Sequence, residues 1–311
     1  MSTKRILNCL GITIVILIYN ACSLPSNLVQ RKENKTVPTA YNGSQDTVNT
    51  AKIKWKEFFT DPNLIALIDG ALKNNQELNI TIQEINLANY EIKARKGAYL
   101  PTLGIQGGAG VEKVGRYTSQ GASDAVNDIT PGKKVPDALP DYIIAANVSW
   151  ELDIWKKLRN SKKSAVYNYL SSIEGKNFMV TNLISEIANS YYELMALDNQ
   201  LEILKKNIEI YQNSLEIVKL EKQSARVTEL AVRRFEAEVL KNQSRQYYIM
   251  QKITETENRI NFLVGRFPQP VIRNSQTFAD LVPDTIYSGI PSQLLENRPD
   301  IRQAEKALVS A

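Results

Sequence analysis

The stretch Ser149–Leu158, SWELDIWKKL, ends a run in which residue character alternates, and then the alternation stops in a basic cluster. From Tyr142 the even positions read Tyr142, Ile144, Ala146, Val148, Trp150, Leu152 and Ile154, and Asn147, Ser149, Glu151 and Asp153 fill odd ones. Alternate side chains of an extended chain point to opposite faces, so residues 142–154 are expected as a strand with one apolar and one polar face. Upstream, Leu103, Ile105, Gly107, Ala109 and Val111 alternate with Gln106, Gly108, Gly110 and Glu112, a second such strand over 103–112. Each run is near the about 9–11 residues a tilted strand needs to cross a bilayer. In that setting Tyr142, Ile144, Val148, Trp150 and Leu152 face lipid, while Asn147, Ser149, Glu151 and Asp153 face a lumen. Trp150 and Trp155 fall at aromatic girdles, with Lys156, Lys157 and Arg159 outside the hydrocarbon. A hairpin packed on a soluble core satisfies the same alternation. Residues 113–141, rich in Gly, Ser, Asp and Pro, read as an exposed loop between the strands.

Beyond Trp155 the period changes to seven. Val166, Ile173, Val180, Ile187, Leu194, Leu201, Ile208 and Leu215 share one register, and Tyr169, Leu183, Leu197, Leu204, Tyr211 and Val218 lie three later, with Lys176 and Ser190 interrupting. Gly175 is the only glycine from Lys156 to Lys222, and there is no proline. Such a helix is about 100 Å long, and sustained heptads imply packing against other long helices. Val232, Val239, Ile253 and Ile260 begin again after SARVT, with Phe235, Ile249 and Leu263 three later. The expectation is a long helical hairpin over 156–263 with its tip near Ser224–Thr228. Leu64–Arg95 is also helical, with Ala71, Leu78, Ile85 and Ile92 on one stripe and a break at Asn74-Asn75. A soluble coiled-coil scaffold has the same heptads.

Composition removes most catalytic classes. Among 311 residues there is no histidine, and the two cysteines are Cys9 and Cys22. No histidine base, zinc ligand set or cysteine–histidine dyad is available downstream of the N-terminus, and no glycine-rich phosphate loop is present. The chain is therefore read as no enzyme, with no cofactor and no metal. The net charge of +5 includes Lys4 and Arg5 and is spread without a basic block, so nucleic acid is not an expected partner.

Residues 1–21 read as a signal peptide: Lys4 and Arg5 precede a mostly apolar run, Ile6–Ile18, too short to span a bilayer. Ala21-Cys22-Ser23 resembles a bacterial lipoprotein signal, in which the cysteine carries acyl chains such as palmitate. Cys22 is thus the candidate lipid attachment, against an ordinary secretory signal with an incidental cysteine. Residues 22–54 are polar and read as a lipid-anchored extended tether.

Taken together the segments resemble the TolC-like outer membrane factors, most closely the lipoprotein branch of RND-type efflux pumps. The matches are WKEFFTDPNLIALIDGALKNNQEL (Trp55–Leu78), GAYLPTL (Gly97–Leu103), SWELDIWKKLRNSKKSA (Ser149–Ala165) and ANSYYELMALDNQLEI (Ala188–Ile203). RVTELAVRRFEAE (Arg226–Glu238), FLVGRFP (Phe262–Pro268) and IPSQLLENRPDIRQAEKAL (Ile290–Leu308) complete the set. Ala225 stands where the family usually has glycine, and Ala231 where it usually has an acidic residue. The resemblance implies a mixed α and β fold, mainly long helices, with two strands contributed per repeat to a β-barrel. It implies a homotrimer in the outer membrane with helices in the periplasm, a periplasmic adaptor and an inner-membrane RND pump as partners, and multidrug efflux as the task. The tip, Ala225, Arg226, Val227, Thr228, Glu229 and Leu230, is the candidate adaptor contact. A duct for type I protein secretion shares this architecture.

Leu72–Ala88 can be laid over Leu295–Ala311 at an offset of 223 residues. By this reading 55–265 is a first repeat, 266–291 a connector and 292–311 the start of a truncated second repeat. The truncated chain, with two strands, is expected not to form a conducting pore alone, because strand number sets barrel width.

Overall fold

The computed structural model of the chain describes residues 34–41, 47–275, 278 and 285–311. The expected signal peptide and Cys22 lie outside the described residues. In chain order the elements are α1 (Trp55–Phe58), α2 (Pro62–Asn74), α3 (Gln76–Gly97), β1 (Thr102–Glu112), α4 (Ser119–Val126), β2 (Asp128–Thr130), β3 (Lys133–Lys134) and β4 (Leu139–Ser149). There follow α5 (Lys157–Gln223), α6 (Glu229–Val264), α7 (Pro291–Asn297) and α8 (Pro299–Ser310). The chain divides into two compact units, one containing Glu91–Lys163 and the other Asn27–Tyr90 with Ser164–Ala311.

The first unit is built on an antiparallel pair, β1 with β4, in unbroken register from Thr102↔Ser149 to Glu112↔Leu139. The connecting segment is more ordered than the exposed loop expected from its composition. Thr118 caps α4 by accepting a hydrogen bond from the Gly121 amide at 3.1 Å, and β2 pairs with β3. The second strand also differs from expectation: it starts three residues earlier, at Leu139, and stops at Ser149 rather than at Ile154. Trp150–Ile154 form a turn into α5 instead. The physical cause is Asp153, whose carboxylate caps α5.

The second unit is helical and has a closed core. Asp61 starts α2 by accepting hydrogen bonds from the amides of Asn63 (2.8 Å) and Leu64 (3.4 Å), with Pro62 at the first helical position. Leu64, Leu67, Ile68 and Ala71 of α2 pack against Leu183, Ile187, Tyr191 and Leu194 of α5 and Ile260, Leu263 and Val264 of α6. Further along the α5–α6 hairpin the seam continues as Leu204, Ile208 and Ile249, and then as Leu215, Val232 and Val239. Of the heptad register expected for α5, Ile187, Leu194, Ile208 and Leu215 are buried, and Val166, Ile173, Val180 and Leu201 are half-buried. Ser190, expected as an interruption, is instead fully buried within it; a small side chain at a close helix approach belongs to the seam.

The break between α2 and α3 is a single residue, Asn75. Its amide bonds the Ala71 carbonyl, its Oδ1 accepts from the Leu78 amide (2.8 Å), and its Nδ2 donates to the Leu263 carbonyl (2.9 Å). One buried side chain therefore ends one helix, caps the next and ties both to α6. Gly265 ends α6 at φ 76, in the left-handed region, and a Cβ there would lie 2.4 Å from the Asn74 carbonyl oxygen.

Downstream, Arg273 fixes the segment after α6: it bonds Asp198 of α5 (2.5 and 2.9 Å) and Glu257 of α6 (2.6 Å). Burial raises the Asp198 carboxyl, but hydrogen bonds from Arg273 and Ser275 outweigh it and hold the group below its ordinary range. α8 lies on α5 through Ser171 to the Gln303 carbonyl (3.0 Å) and Arg302 to the buried Glu174 (2.5 Å). Gly175 leaves room for Gln303, whose Nε2 would be 2.8 Å from an added Cβ. The helix pair α7–α8 breaks at Arg298, the residue that the sequence repeat sets opposite Asn75. The segment expected as an extended tether is docked near its end: Asn49 bridges to Ser288, and its Nδ2 donates to Gln293 at 3.0 Å.

Candidate functional site

The β1–β4 register decides which side chains share a face. Leu103 pairs with Val148, Ile105 with Ala146, Gly107 with Ile144, Ala109 with Tyr142 and Val111 with Pro140. All of these are small or apolar and lie on one face. Thr102 with Ser149, Gly104 with Asn147, Gln106 with Ala145, Gly108 with Ile143, Gly110 with Asp141 and Glu112 with Leu139 lie on the other, which is polar toward the Thr102–Ser149 end and mixed beyond it. Of the residues expected to face lipid, Tyr142, Ile144 and Val148 therefore share the apolar face, and Asn147 and Ser149 the other. On that face an added Cβ at Gly104 would come within 2.6 Å of Asn147 Oδ1, so the Asn147 side chain lies across the glycine. Large side chains on the apolar face are largely exposed, Ile144 at 91 %. A two-stranded ribbon with an uncovered apolar face is not stable in water by itself. It needs a bilayer, a protein partner or both.

Trp150, Leu152, Glu151 and Asp153, expected on strand faces, are in the turn. The Asp153 carboxylate accepts hydrogen bonds from the amides of Leu158 and Arg159, both at 3.0 Å, and its side chain is 1 % exposed. It caps α5, where a negative charge also meets the positive end of the helix dipole. That use pulls the chain out of extended geometry and ends β4 at Ser149. Lys156 takes φ 62 to complete the turn. Glu151 pairs with Lys157 at 2.8 Å. Tyr99, on the chain entering β1, accepts from Trp150 Nε1 through its carbonyl (3.3 Å) and from Arg159 Nη2 through its hydroxyl (2.9 Å). These contacts, with Thr102 Oγ1 on the Ser149 carbonyl (3.1 Å), clamp both ends of the hairpin at one corner. The Tyr99 hydroxyl, more than any other neighbour, raises the Arg159 guanidinium above its ordinary value.

The helical tip joins α5 to α6. Ala225 sits at φ 55, its amide bonds the Lys222 carbonyl, and the Arg226 amide bonds the Glu221 carbonyl. This is the Schellman arrangement, the same as at Gly265, but with alanine at the left-handed position. Thr228 precedes α6 and Glu229 opens it, bonded to Lys222 and to Arg233 (2.8 Å). The hydrogen bond from Lys222 is the main cause that lowers the Glu229 carboxyl. Val227 is half-buried, whereas Leu230 is 78 % exposed beside an open groove lined by Tyr211, Ala231, Arg234 and Phe235.

Residues 67–266 match the family model described as outer membrane efflux protein. The chain belongs to that family. It is 28% identical over 271 residues to the solvent efflux pump outer membrane protein SrpC of Pseudomonas putida, covering 86% of this chain and 55% of the relative. The chain thus spans about half the length of the curated relatives it matches. Two crystal structures share its fold. A membrane protein from Pseudomonas aeruginosa matches with TM-score 0.74 at 21% identity, over 90% of this chain and 61% of that one. The Campylobacter jejuni CmeC outer membrane channel matches with TM-score 0.70 at 19% identity, over 93% and 60%. The fold is the TolC-like outer membrane efflux fold, as the sequence resemblance implied.

Within this family architecture several positioning residues escaped the sequence reading. Tyr191 is fully buried, and its hydroxyl donates to Asp61 Oδ2 at 2.7 Å. Burial first, and then this bond, pushes the Tyr191 hydroxyl well above its ordinary value. Asp61-Pro62 is a helix-start signature that was present in the sequence. Tyr99 and Arg273 carry no local signal, because their partners lie on other elements. No helix among the described residues is long and apolar enough to cross a membrane, which says nothing of a β-barrel.

Proposed function

We propose that the chain is part of an outer-membrane duct for efflux of small molecules, with β1 and β4 in the barrel wall and the long helices in the periplasm. The observation that carries this reading is the hairpin: two eleven-residue strands in continuous register, apolar along the whole of one face and mixed on the other, with the apolar face uncovered by any described residue. A lipid bilayer covers such a face, and neighbouring strands from repeats or copies satisfy its edges, since unpaired backbone groups in lipid cost several kcal/mol each. A coiled-coil scaffold gives no reason for that face. SrpC is named as the outer membrane protein of a solvent efflux pump, which supports the same task here. Homotrimer formation, a periplasmic adaptor at Ala225–Leu230 and an inner-membrane RND pump complete the reading, with Cys22 as the lipid anchor. The matched breaks at Asn75 and Arg298 support 292–311 as the start of a second repeat.

Cysteine accessibility tests the hairpin in outer-membrane preparations. Asn147→Cys is expected to react with a membrane-impermeant maleimide, whereas Ile144→Cys is protected from it and labelled by a lipid-phase probe. Equal reaction of both sites with the impermeant reagent overturns the reading.

A further inference from the structure

We propose that the corner where the hairpin meets α5 is a binding surface for anionic phospholipid headgroups. The proposal deepens the barrel reading and rests on it. Four large apolar side chains, Leu100, Leu152, Ile154 and Trp155, are each more than half exposed at this corner. They follow directly from the end of the apolar strand face. Beside them the chain is cationic: Lys96 precedes β1, Lys156 precedes α5, and Lys157, Arg159, Lys162 and Lys163 fall within the first seven residues of α5.

Both carboxylates of the turn are engaged, Asp153 inward, sealed against the α5 amides with a 1 % exposed side chain, and Glu151 in a surface ion pair with Lys157. The outward surface is therefore apolar and aromatic on one margin and basic on the other. That order matches a bilayer interface, where aromatic rings sit at the headgroup level and ammonium or guanidinium groups reach the phosphates. Lys156 strengthens the point. It holds a left-handed conformation that a lysine adopts at a cost, at a position where glycine or asparagine fits without one. The basic side chain, not the backbone, accounts for a lysine there. With the helices in the periplasm, the surface meets the inner, phospholipid leaflet. A net positive margin selects phosphatidylglycerol or cardiolipin over zwitterionic phosphatidylethanolamine.

Tryptophan quenching separates the possibilities. The full chain is incorporated into phosphatidylethanolamine vesicles containing an equal mole fraction of brominated phosphatidylglycerol or brominated phosphatidylethanolamine. Subtracting the signal of the Trp155→Phe variant isolates Trp155 without disturbing the Trp150–Tyr99 contact. We expect quenching of Trp155 to be about twofold stronger with the brominated anionic lipid. In a Lys96→Gln, Lys156→Asn, Lys162→Gln, Lys163→Gln variant, which leaves only Lys157 and Arg159 beside Glu151 and Asp153, the ratio is expected to fall to about one, with the left-handed turn retained. Equal quenching by both lipids in the unsubstituted chain, or a preference that survives the variant, overturns the headgroup proposal and leaves the barrel reading standing. Quenching by neither lipid places Trp155 away from a bilayer, overturns both, and points to a protein occupant of the surface.

Discussion

Ile187 and Ile144 are the same residue in two surroundings. In the helical unit Ile187 is 0 % exposed, enclosed by α2 and α6 as well as its own helix. In the hairpin unit Ile144 is 91 % exposed, opposite Gly107 on a face that no described residue covers. The helices bury their seam within one chain because Asp61, Asn75 and Gly265 turn three helices onto each other. Among the described residues the hairpin has no second layer, so its apolar face must be covered from outside the chain's own core. An apolar side chain contributes to folding where the protein removes it from water, and to partitioning where the bilayer does so.

That contrast is broken most directly by deleting the same atoms in both places. Ile187→Ala is expected to lower stability by about 3 kcal/mol, in the usual range for a buried cavity-forming substitution. Its urea midpoint should fall accordingly. Ile144→Ala should leave the urea midpoint of the helical transition in place and weaken vesicle flotation instead. A large loss of helical stability from Ile144→Ala would mean that the hairpin face is part of the folded core.

Gly265→Ala comes next in size. The substitution meets both a left-handed backbone and the Asn74 carbonyl, 2.4 Å from the new Cβ. The conformational term alone is about 1–2 kcal/mol. Displacing the Asn74–Asn75 backbone also disturbs the Asn75 bonds to Leu263 and Leu78. A combined loss of about 2–3 kcal/mol is expected from strain and weakened bonds, again read from the urea midpoint. A neutral outcome would show that the α2–α3 break moves freely against α6.

The Tyr191–Asp61 bond gives a smaller, pH-dependent effect. The Tyr191 hydroxyl is raised above its ordinary value of 10.0, so the folded state retains a proton that the unfolded chain loses. Its contribution is fully present below that value and declines as pH rises above it, because the unfolded state then binds fewer protons. Urea midpoints measured across the alkaline range should fall more steeply for the wild-type chain than for Tyr191→Phe. At neutral pH the variant should lose about 1 kcal/mol for the hydrogen bond. Parallel pH curves would remove Asp61 and burial as the cause.

How far the fold was legible depends on whether a residue's partner is near it in sequence. The α5–α6 seam was readable because heptads repeat, and the two faces of β1 and β4 because alternation repeats. The register that joins Leu103 to Val148 was not readable, since a shift of two residues leaves both faces unchanged. The end of β4 was not readable from alternation, since Trp150, Leu152 and Ile154 continue the pattern that Asp153 interrupts by capping α5. The helix within 113–141 was hidden by its Gly, Ser and Asp content, yet Thr118 and Gly121 form its cap. Arg273, which joins Asp198 and Glu257 across two helices, had no local pattern at all. At the tip the position of the turn was legible, whereas the groove around Leu230 and Phe235 required the fold.

Two helix ends sharpen the comparison at its finest scale. α5 and α6 close with the same pair of hydrogen bonds, Ala225 and Arg226 in one case and Gly265 and Arg266 in the other. Their left-handed residues have φ 55 and φ 76. Gly265 is held among buried residues, so its conformation is fixed by packing as well as by the cap. Ala225 is exposed, and its Cβ opposes the conformation at a cost of about 1–2 kcal/mol. Part of that cost is offset by the lower freedom of alanine in the unfolded chain, worth about 0.5–1 kcal/mol. Ala225→Gly is therefore expected to raise stability by about 0.5–1 kcal/mol, the difference of those two terms. The gain should come with slower amide exchange in the last turn of α5, measured at Lys222–Arg226. The same variant also tests the tip as a partner site. A more rigid turn holds Leu230 and Glu229 in one arrangement, so crosslinking from Thr228→Cys to an adaptor should be retained. Loss of crosslinking together with the expected stabilisation would show that docking uses a second conformation of the tip, one that the alanine leaves accessible and glycine disfavours by securing the cap.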